Sequence, residues 1–467
     1  MKNYSIQNLQ VTDIADEGKA VARHEQMVVF IDKAVPGDVV DVEVFKKKKS
    51  YLEARITNLV KPSEFRTEPF CSHFGTCGGC KWQYLQYEQQ LHFKQIQVYE
   101  ALKRIAKIEQ PQVMPIIGSA TDRFYRNKLE FTFSNKRWLS VDEMKQGKSD
   151  VAPALGFHIS GRYDKVLPIE KCYLQDDLHN EIRNFVHRFC VENAFTFFDL
   201  KEQVGLMRNM IIRSTSTNEW MVLMSFKEDD KEKRELLLNA LQQKFQQITS
   251  LMYSINQKRN DSLYDQDFIL FAGNPYITEQ MEDLKFRIGP KSFFQTNSLQ
   301  ALKLYQITRE FADLKGDEIV YDLYTGTGTI ANFVARKASK VVGIEYVAAA
   351  IDDALLNATE NNINNTAFYA GDMKDLLKTS FYETNGYPDV IITDPPRAGM
   401  HESVTAMLNV SGAKKIVYVS CNVATQARDI LLMSEKYEVL KIQPVDMFPH
   451  TQHVENVVLL GLKYISN

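Results

Sequence analysis

The chain has 467 residues, 44% hydrophobic and 25% charged, with a formal net charge of −3. That length exceeds one ordinary core and implies two to four domains. No apolar run approaches the ~18 residues that would cross a bilayer, and the N-terminus lacks the apolar stretch of a secretory signal. A cytoplasmic protein without membrane contact is the expectation. The small net charge neither requires nor excludes a nucleic-acid partner, because binding depends on local basic patches.

Residues 1–61 alternate apolar and polar positions, as in Val39-Val40-Asp41-Val42-Glu43-Val44, with a Pro36-Gly37-Asp38 turn between runs. Several short strands joined by tight turns predict a small β-barrel of the oligonucleotide-binding kind. Lysines 46–49 end one strand and read either as solvated edge protection or as a phosphate-binding patch. A proline-bearing linker leads into a second region, 62–288, which opens on Cys71-x5-Cys77-Gly78-Gly79-Cys80. Clustered cysteines in a chain of this kind point to metal, with Cys172 as the distant fourth ligand. Four thiolates suit zinc or a [4Fe–4S] cluster. A zinc ribbon would show two Cys-x2-Cys knuckles and only one is present, which favours iron–sulfur in a structural or RNA-orienting role. Cys190, in an apolar segment, reads as core.

Residues 84–108 have helical spacing and basic positions, with Pro111 and Pro115 closing the helix. This helix, over about 85–110, is expected to pack on the C-terminal domain. From Arg123 to Leu284 strand-like runs mix with charged helices, predicting an α+β central domain; the polar stretch 141–154 reads as a surface loop. From 289 to 467 apolar runs alternate with helical segments, the pattern of a mostly parallel, doubly wound sheet. Ligands of such sheets bind outside the carboxyl ends of the strands.

Each chemical motif falls at such an end. In Asp322-Leu-Tyr-Thr-Gly-Thr-Gly-Thr329, Gly326 and Gly328 allow a sharp turn and close approach to a ligand. No third glycine stands where a pyrophosphate would need it, and Glu345 ends the next run at a spacing suited to ribose hydroxyls. An adenosyl group with a compact charged tail fits better, which favours S-adenosylmethionine over NAD. The two prolines of Asp394-Pro395-Pro396-Arg397 stiffen a loop that can hold a base edge. Amino-methylating enzymes carry a stacking aromatic where Arg397 stands, which argues against exocyclic amine chemistry. Cys421 ends the run Val417-Tyr418-Val419-Ser420, and Glu455 opens the last apolar run, with His450 and His453 as rival bases. A thiol beside a methyl-donor site has a chemical rationale. C5 of uracil is too weak a nucleophile until a thiolate adds at C6, after which a base must remove the C5 proton.

Together these residues resemble the RNA uracil-C5 methyltransferase family, which includes 23S ribosomal RNA and transfer RNA enzymes. The resemblance implies a TRAM-type barrel around Val35-Pro36-Gly37-Asp38, a central RNA-binding domain and a Rossmann-like methyltransferase domain. It makes Cys71, Cys77, Cys80 and Cys172 ligands of a [4Fe–4S] cluster. Gln295 (in Ser-Phe-Phe-Gln-Thr-Asn, 292–297), Tyr324, Thr329, Glu345 and Asp372 would bind S-adenosylmethionine. Asp394 would contact base or cofactor, Cys421 would be the nucleophile and Glu455 the general base. The Cys80 to Cys172 separation is long for the family, which the 141–154 stretch would explain. A barrel plus a complete cysteine set resembles the ribosomal RNA branch more than the transfer RNA enzyme, which lacks the barrel. The expectation is therefore a monomeric 23S rRNA uracil-C5 methyltransferase. A transfer RNA methyltransferase and a largely non-catalytic rRNA-binding assembly factor are the alternatives.

Overall fold

The computed structural model describes residues 4–463 apart from 16, 160, 161, 261 and 264; the outer ends of the first and last expected domains, 1–3 and 464–467, lie outside the described residues. Strands β1 (Tyr4–Ile14), β2 (Ala20–His24), β3 (Met27–Asp32), β4 (Val39–Lys47) and β5 (Tyr51–Lys61) form a closed barrel. Strand alternation turns Val40, Val42 and Val44 inward, where they are buried. The Pro36-Gly37-Asp38 turn ties the barrel to the segment after β5. Asp38, wholly buried, accepts hydrogen bonds from Val35 N (2.7 Å), Ser63 N (2.9 Å) and Arg66 (2.7 and 2.9 Å). Among the four lysines, Lys46 is paired across β4 and β5 with Glu53, while Lys48 and Lys49 are exposed at the hairpin.

Helix α1 (Tyr87–Arg104) comes after the cysteine segment and ends short of Pro111. The central sheet is built from β6 (Lys128–Lys136), β7 (Val151–Ile159), β8 (Arg162–Pro168), β9 (Met207–Ser214), β10 (Trp220–Phe226), β11 (Ile248–Ile255) and β12 (Ile269–Gly273), in the order β12-β11-β10-β9-β6-β7-β8. The stretch 141–154 is not a plain loop. It opens with α2 (Val141–Lys145), where Ser140 and Glu143 form a reciprocal capping box, and ends inside β7 with Ala154 buried. Its polarity concealed a capping signal, since Ser-x-x-Glu satisfies the orphan donors of a helix start. Helices α3 (Asp177–Glu192) and α4 (Lys231–Lys244) cover the sheet, burying Ile182, Val186, Leu237 and Leu241 against Val222 and Met224. Cys190 is buried in the same core, as its apolar segment suggested. A hairpin of β13 (Ile277–Met281) and β14 (Leu284–Ile288) leads into the last domain.

That domain is doubly wound. Its elements are α5 (Ser298–Ala312), β15 (Ile319–Leu323), α6 (Thr329–Ala335), β16 (Lys340–Glu345), α7 (Ala348–Glu360), β17 (Thr366–Ala370), α8 (Met373–Leu376), α9 (Thr379–Asn385), β18 (Val390–Thr393), α10 (Glu402–Val410), β19 (Lys415–Ser420), α11 (Val423–Met433), β20 (Tyr437–Val445) and β21 (Glu455–Leu462). The strand order is β17-β16-β15-β18-β19-β21-β20, with neighbours parallel from β17 to β19 and β21 antiparallel to both its neighbours. No helix among the described residues is long and apolar enough to cross a membrane.

Helix α1 lies on this domain. Val98, Leu102 and Ala106 share a core with Val423, Ala427 and Ile430 around α11 and with Ile442 of β20. At the centre of the joint the Lys94 ammonium meets Asp446 at 2.6 Å, with both side chains wholly buried. Lys94 also donates to Phe448 O (3.1 Å), and Tyr87 donates to the other Asp446 oxygen (2.9 Å). Burial alone pushes the Lys94 pKa down, and the Asp446 charge opposes that shift. Removing one member of such a pair leaves an uncompensated buried charge, typically costing about 3–5 kcal/mol. Lys94→Met is therefore expected to lower thermal stability sharply, and Lys94→Met/Asp446→Leu to recover much of it. Equal melting temperatures for wild type and Lys94→Met would show that the pair contributes nothing net.

Candidate active site

The site grows from the carboxyl ends of β15, β16, β18 and β19. After β15 the backbone takes left-handed conformations at Tyr324 (φ 61°), Gly326 (φ 55°) and Gly328 (φ 72°) before entering α6. A Cβ at Gly328 would stand 2.8 Å from Ala354 Cβ, so this glycine lets α6 and α7 approach. A Cβ at Gly326 would meet nothing within 4 Å, so that glycine faces the space a ligand would use. Glu345, at the end of β16, accepts from Gly326 N (3.2 Å) and Val347 N (3.0 Å), which presets its carboxylate beside the turn. Thr329 is buried, its hydroxyl 3.2 Å from that of Thr327. Asp372 is placed at the end of β17, capping the one-turn α8 through Lys374 N (3.1 Å) and pairing with the Lys374 ammonium.

Gln295 arrives by another route. The segment 292–297 is held by the central domain: Asn127 donates to Gln295 O (3.1 Å) and to Ser298 Oγ (2.9 Å), and Arg213 donates to Ser292 O (3.0 Å). Gln295 itself is buried, whereas Phe293 is 70% exposed, an unusual fate for a phenylalanine on a fixed segment.

Antiparallel pairing of β21 with β19 sets Ser420 opposite Asn456, so the first residue of one strand stands beside the residue after the end of the other. Glu455 and Cys421, 34 positions apart, are thereby brought together. Asn422 caps α11 and also donates to Arg397 O (3.0 Å), with Thr425 Oγ1 donating to the same carbonyl (3.1 Å). The proline loop is thus bolted to the residue after the thiol. Burial pushes the Cys421 thiol up to about 11, Glu455 and Asp394 push in the same direction, and the Arg397 charge and its hydrogen bond pull back. Burial also pushes Glu455 up to about 8, with Asp394 adding to the shift and Arg397 opposing it. Asp394 is pushed to about 7 by burial and then by Asp322. Asp322 is raised to about 7 by burial, with the hydrogen bonds from Thr325 Oγ1 (2.5 Å) and the Ala331 amide pulling back.

Carboxyls crowded this way favour protons unless a cation arrives. The crowded carboxyls, the Glu345 carboxylate beside the turn and the open face of Gly326 therefore fit a positively charged, ribose-bearing ligand. Of the rival bases, His450 is buried in the α1 joint with its ring Nδ1 facing Gln90 Nε2, and His453 is held near 4 by burial and then by Arg397, which makes it a poor base for this step.

Three residues of the site had no role there on sequence grounds. Arg397 is the cation that tempers both Cys421 and Glu455. Tyr305, buried on α5, has its ionisation opposed first by burial and then by Asp394, Asp322 and Glu455. No local pattern marks it, because it sits at an ordinary core position of a helix. Tyr346, 73% exposed directly after Glu345, adds an apolar face beside the turn; the apolar pair after an acid was its sequence signal.

The four expected metal ligands also meet. Cys71, Cys77, Cys80 and Cys172 line one cavity of about 170 Å³ with Phe74, Leu129 and Phe157. Burial pushes Cys77 to about 11 and Cys80 to about 12, with the neighbouring thiols adding to both shifts. Among the described residues no three His, Cys, Asp or Glu side chains converge as ligands of one metal ion. Sulfurs bound to a single zinc would lie about 3.8 Å apart, given Zn–S bonds near 2.3 Å. The thiols do not close on such a point; they surround a larger, largely apolar space.

A family model described as tRNA (Uracil-5-)-methyltransferase matches residues 86–463, and a TRAM domain model matches residues 2–57. An uncharacterised RNA methyltransferase of Bacteroides thetaiotaomicron is 56% identical, covering 96% of this chain and all of its own. One from Chlorobaculum tepidum is 37% identical, covering 96% of this chain and 95% of its own. The crystal structure of Pyrococcus abyssi tRNA (uracil-54, C5)-methyltransferase in complex with S-adenosyl-L-homocysteine is similar with a TM-score of 0.75 and 28% identity, covering 97% of this chain and 100% of that chain. The uncovered remainder is far smaller than the barrel, so a transfer RNA enzyme can share the whole architecture. A barrel therefore does not separate ribosomal from transfer RNA enzymes, contrary to the sequence-based inference. The chain belongs to the tRNA (uracil-5-)-methyltransferase family of RNA methyltransferases and carries a TRAM domain at its N-terminus.

Proposed function

We propose that the protein methylates C5 of a uridine in 23S ribosomal RNA, through a covalent bond between Cys421 and C6 of the base. The observation that carries the uracil-C5 chemistry is the meeting of Cys421, Glu455, Asp394 and Arg397 at neighbouring strand ends, beside a turn fit for a cationic adenosyl ligand; the complete four-cysteine set inclines the reading to the ribosomal RNA branch. S-Adenosylmethionine, held by Gln295, Tyr324, Gly326, Gly328, Thr329, Glu345, Asp372 and Asp394, supplies an electrophilic methyl group. The Cys421 thiol gives up its proton to solvent, and the thiolate adds to C6 of the flipped base while the ring electrons move to C5 and O4. Asp394 contacts the edge of the flipped base and holds it in place. Once C5 carries the methyl group, Glu455 takes the C5 proton. The electron pair of that C–H bond forms C5=C6, and the thiolate leaves. A carboxyl raised to about 8 is well matched to receive a carbon-bound proton. The exposed Phe293 offers a stacking surface to an unpaired base.

We infer that Cys71, Cys77, Cys80 and Cys172, which line one cavity, would hold a [4Fe–4S] cluster rather than zinc. A second reading, a transfer RNA uracil-C5 methyltransferase, is favoured by the full-length likeness to the Pyrococcus abyssi enzyme. A non-catalytic assembly factor would have no use for the Cys421–Glu455 pairing.

Mapping 5-methyluridine by mass in ribosomal and transfer RNA from cells lacking the protein tests the substrate. Loss from 23S rRNA is expected; loss confined to transfer RNA would install the second reading. Cys421→Ala should reduce methyl transfer to background, and persistent 5-methyluridine formation would sink the covalent mechanism. Glu455→Gln should slow turnover by about 10²–10⁴-fold and accumulate a denaturant-resistant protein–RNA adduct. Anaerobically purified protein should absorb near roughly 400 nm, as clusters do and zinc thiolates do not.

The raised carboxyls also predict a pH dependence. Asp322, Asp394 and Glu455 hold protons in the fold that the unfolded chain releases near pH 4. Their contribution to stability is thus intact below about pH 4 and lost as pH rises through 7 to 8. A cationic ligand reverses the penalty. S-Adenosylmethionine should bind about tenfold more tightly at pH 8 than at pH 6, and uncharged-sulfur S-adenosylhomocysteine should change less. Identical calorimetric pH profiles for the two would contradict this electrostatic account.

A further inference from the structure

The loop that delivers Glu455, residues 446–454 between β20 and β21, is held almost entirely from outside its own sheet. Its midpoint is His450, 4% exposed and in a left-handed backbone conformation (φ 65°) that L side chains rarely adopt. Every polar backbone group of His450 is engaged by the chain directly after the cysteine cluster. Its carbonyl accepts from Lys81 N (2.8 Å) and Trp82 N (3.0 Å), the two residues next to Cys80. Its amide donates to Gln90 Oε1 (2.8 Å), and its ring Nδ1 lies 3.2 Å from Gln90 Nε2. Gln90 is fully buried and also donates to Trp82 O (3.1 Å) and Leu85 O (2.8 Å), so it has no freedom to follow a moving loop. The ring's other nitrogen faces the Asp122 carboxylate at 3.2 Å without the alignment of a hydrogen bond.

The remainder of the loop is clamped from two further sides. Asn297 donates to Met447 O (3.0 Å) and Gln300 to Asp446 O (2.7 Å), both from the start of α5 that also carries the Gln295 segment. Lys94 and Tyr87 hold the Asp446 side chain from α1. A left-handed histidine costs on the order of 1 kcal/mol or more, and such a conformation persists only where neighbours over-determine it. Five residues beyond it the chain enters β21 at Glu455.

From this geometry we infer that Gln90 and His450 are positioning residues for proton abstraction: the segment behind the cysteine cluster clasps His450 and thereby aims the Glu455 carboxylate at C5. The inference rests on Glu455 being the base. It assigns the cysteine-bearing segment a step in the reaction, separate from any part in RNA binding. Loosening the clasp leaves Cys421 on its own strand, β19, so thiol addition and methyl transfer proceed. The step that suffers is the last one, in which Glu455 takes the C5 proton, the C5–H electron pair forms C5=C6 and the C6–S bond breaks to release the thiolate.

The test uses full-length protein and two independent variants, Gln90→Leu and Gln90→Ala. Both remove the acceptor of the His450 amide and the amide group beside its ring. The substrate is in vitro transcribed 23S rRNA or transfer RNA, whichever the wild type methylates, made with ordinary or [5-²H]uridine. Turnover is expected to fall by about 10²-fold, as for a misplaced catalytic group. A denaturant-resistant adduct should accumulate, and deuterium at C5 should slow the variants more than the wild type. Adduct formation with 5-fluorouridine RNA, which never requires C5 proton loss, should keep its wild-type rate. Where one variant fails to fold, the other decides. Unchanged turnover, or a fall in turnover with no adduct and no isotope effect, overturns the proposal. Failure of Glu455→Gln to trap an adduct would instead remove the base assignment on which it rests.

Discussion

The buried ion pair between Lys94 and Asp446 is the constraint on which the arrangement of this protein turns. Its two side chains are wholly excluded from water, and each belongs to a different part of the chain. An isolated charge at either position would be costly, so the two elements dock with the charges matched or not at all. Docking brings α1 onto α11 and β20 and sets the cysteine segment against the loop before β21. The N-terminal and C-terminal halves of the molecule are thereby one mechanical unit at the point where the reaction ends.

A second constraint is the reversed strand at the sheet edge. Were β21 parallel to β19, its first residue would lie at the far end of the sheet. Because it runs antiparallel, with Ser420 opposite Asn456, Glu455 is delivered beside Cys421. The active centre then concentrates acidic groups at the carboxyl end of the sheet, with Asp322 and Glu455 buried and Asp394 half-buried. Asp322 raises Asp394, and Asp394 raises Glu455, beyond what burial alone requires, with Arg397 as the counterweight at Glu455. Such a pocket is poised for a cation, and its pKa values place proton exchange close to neutrality.

The fold and the chemistry were legible to different extents in the amino-acid order. Hydrophobic periodicity marked the barrel, the α+β middle and the doubly wound sheet, because strand and helix repeats are local properties of the chain. The glycine turn, the Asp-Pro-Pro-Arg loop and the Ser-Cys-Asn thiol were equally plain, each being a short run whose residue types dictate its shape. The stretch 141–154 misled, since its polar residues encode the capping box of a short helix. The barrel did not name the substrate, because a full-length likeness to a transfer RNA enzyme leaves that domain compatible with either class of RNA.

By itself, then, the sequence determined which elements form and which residues carry reactive groups: Cys421 as the thiol, Glu455 as an acid at a strand mouth, four cysteines in a divided set. Only the tertiary structure decided that Cys421 and Glu455 meet, that Arg397 tempers both and that Gln90 clasps His450. The physical reason is range. Turns, caps and periodicities are settled by neighbours a few residues away, whereas burial, charge coupling and strand direction arise between residues brought together by packing, as with Gln90 and His450, 360 positions apart.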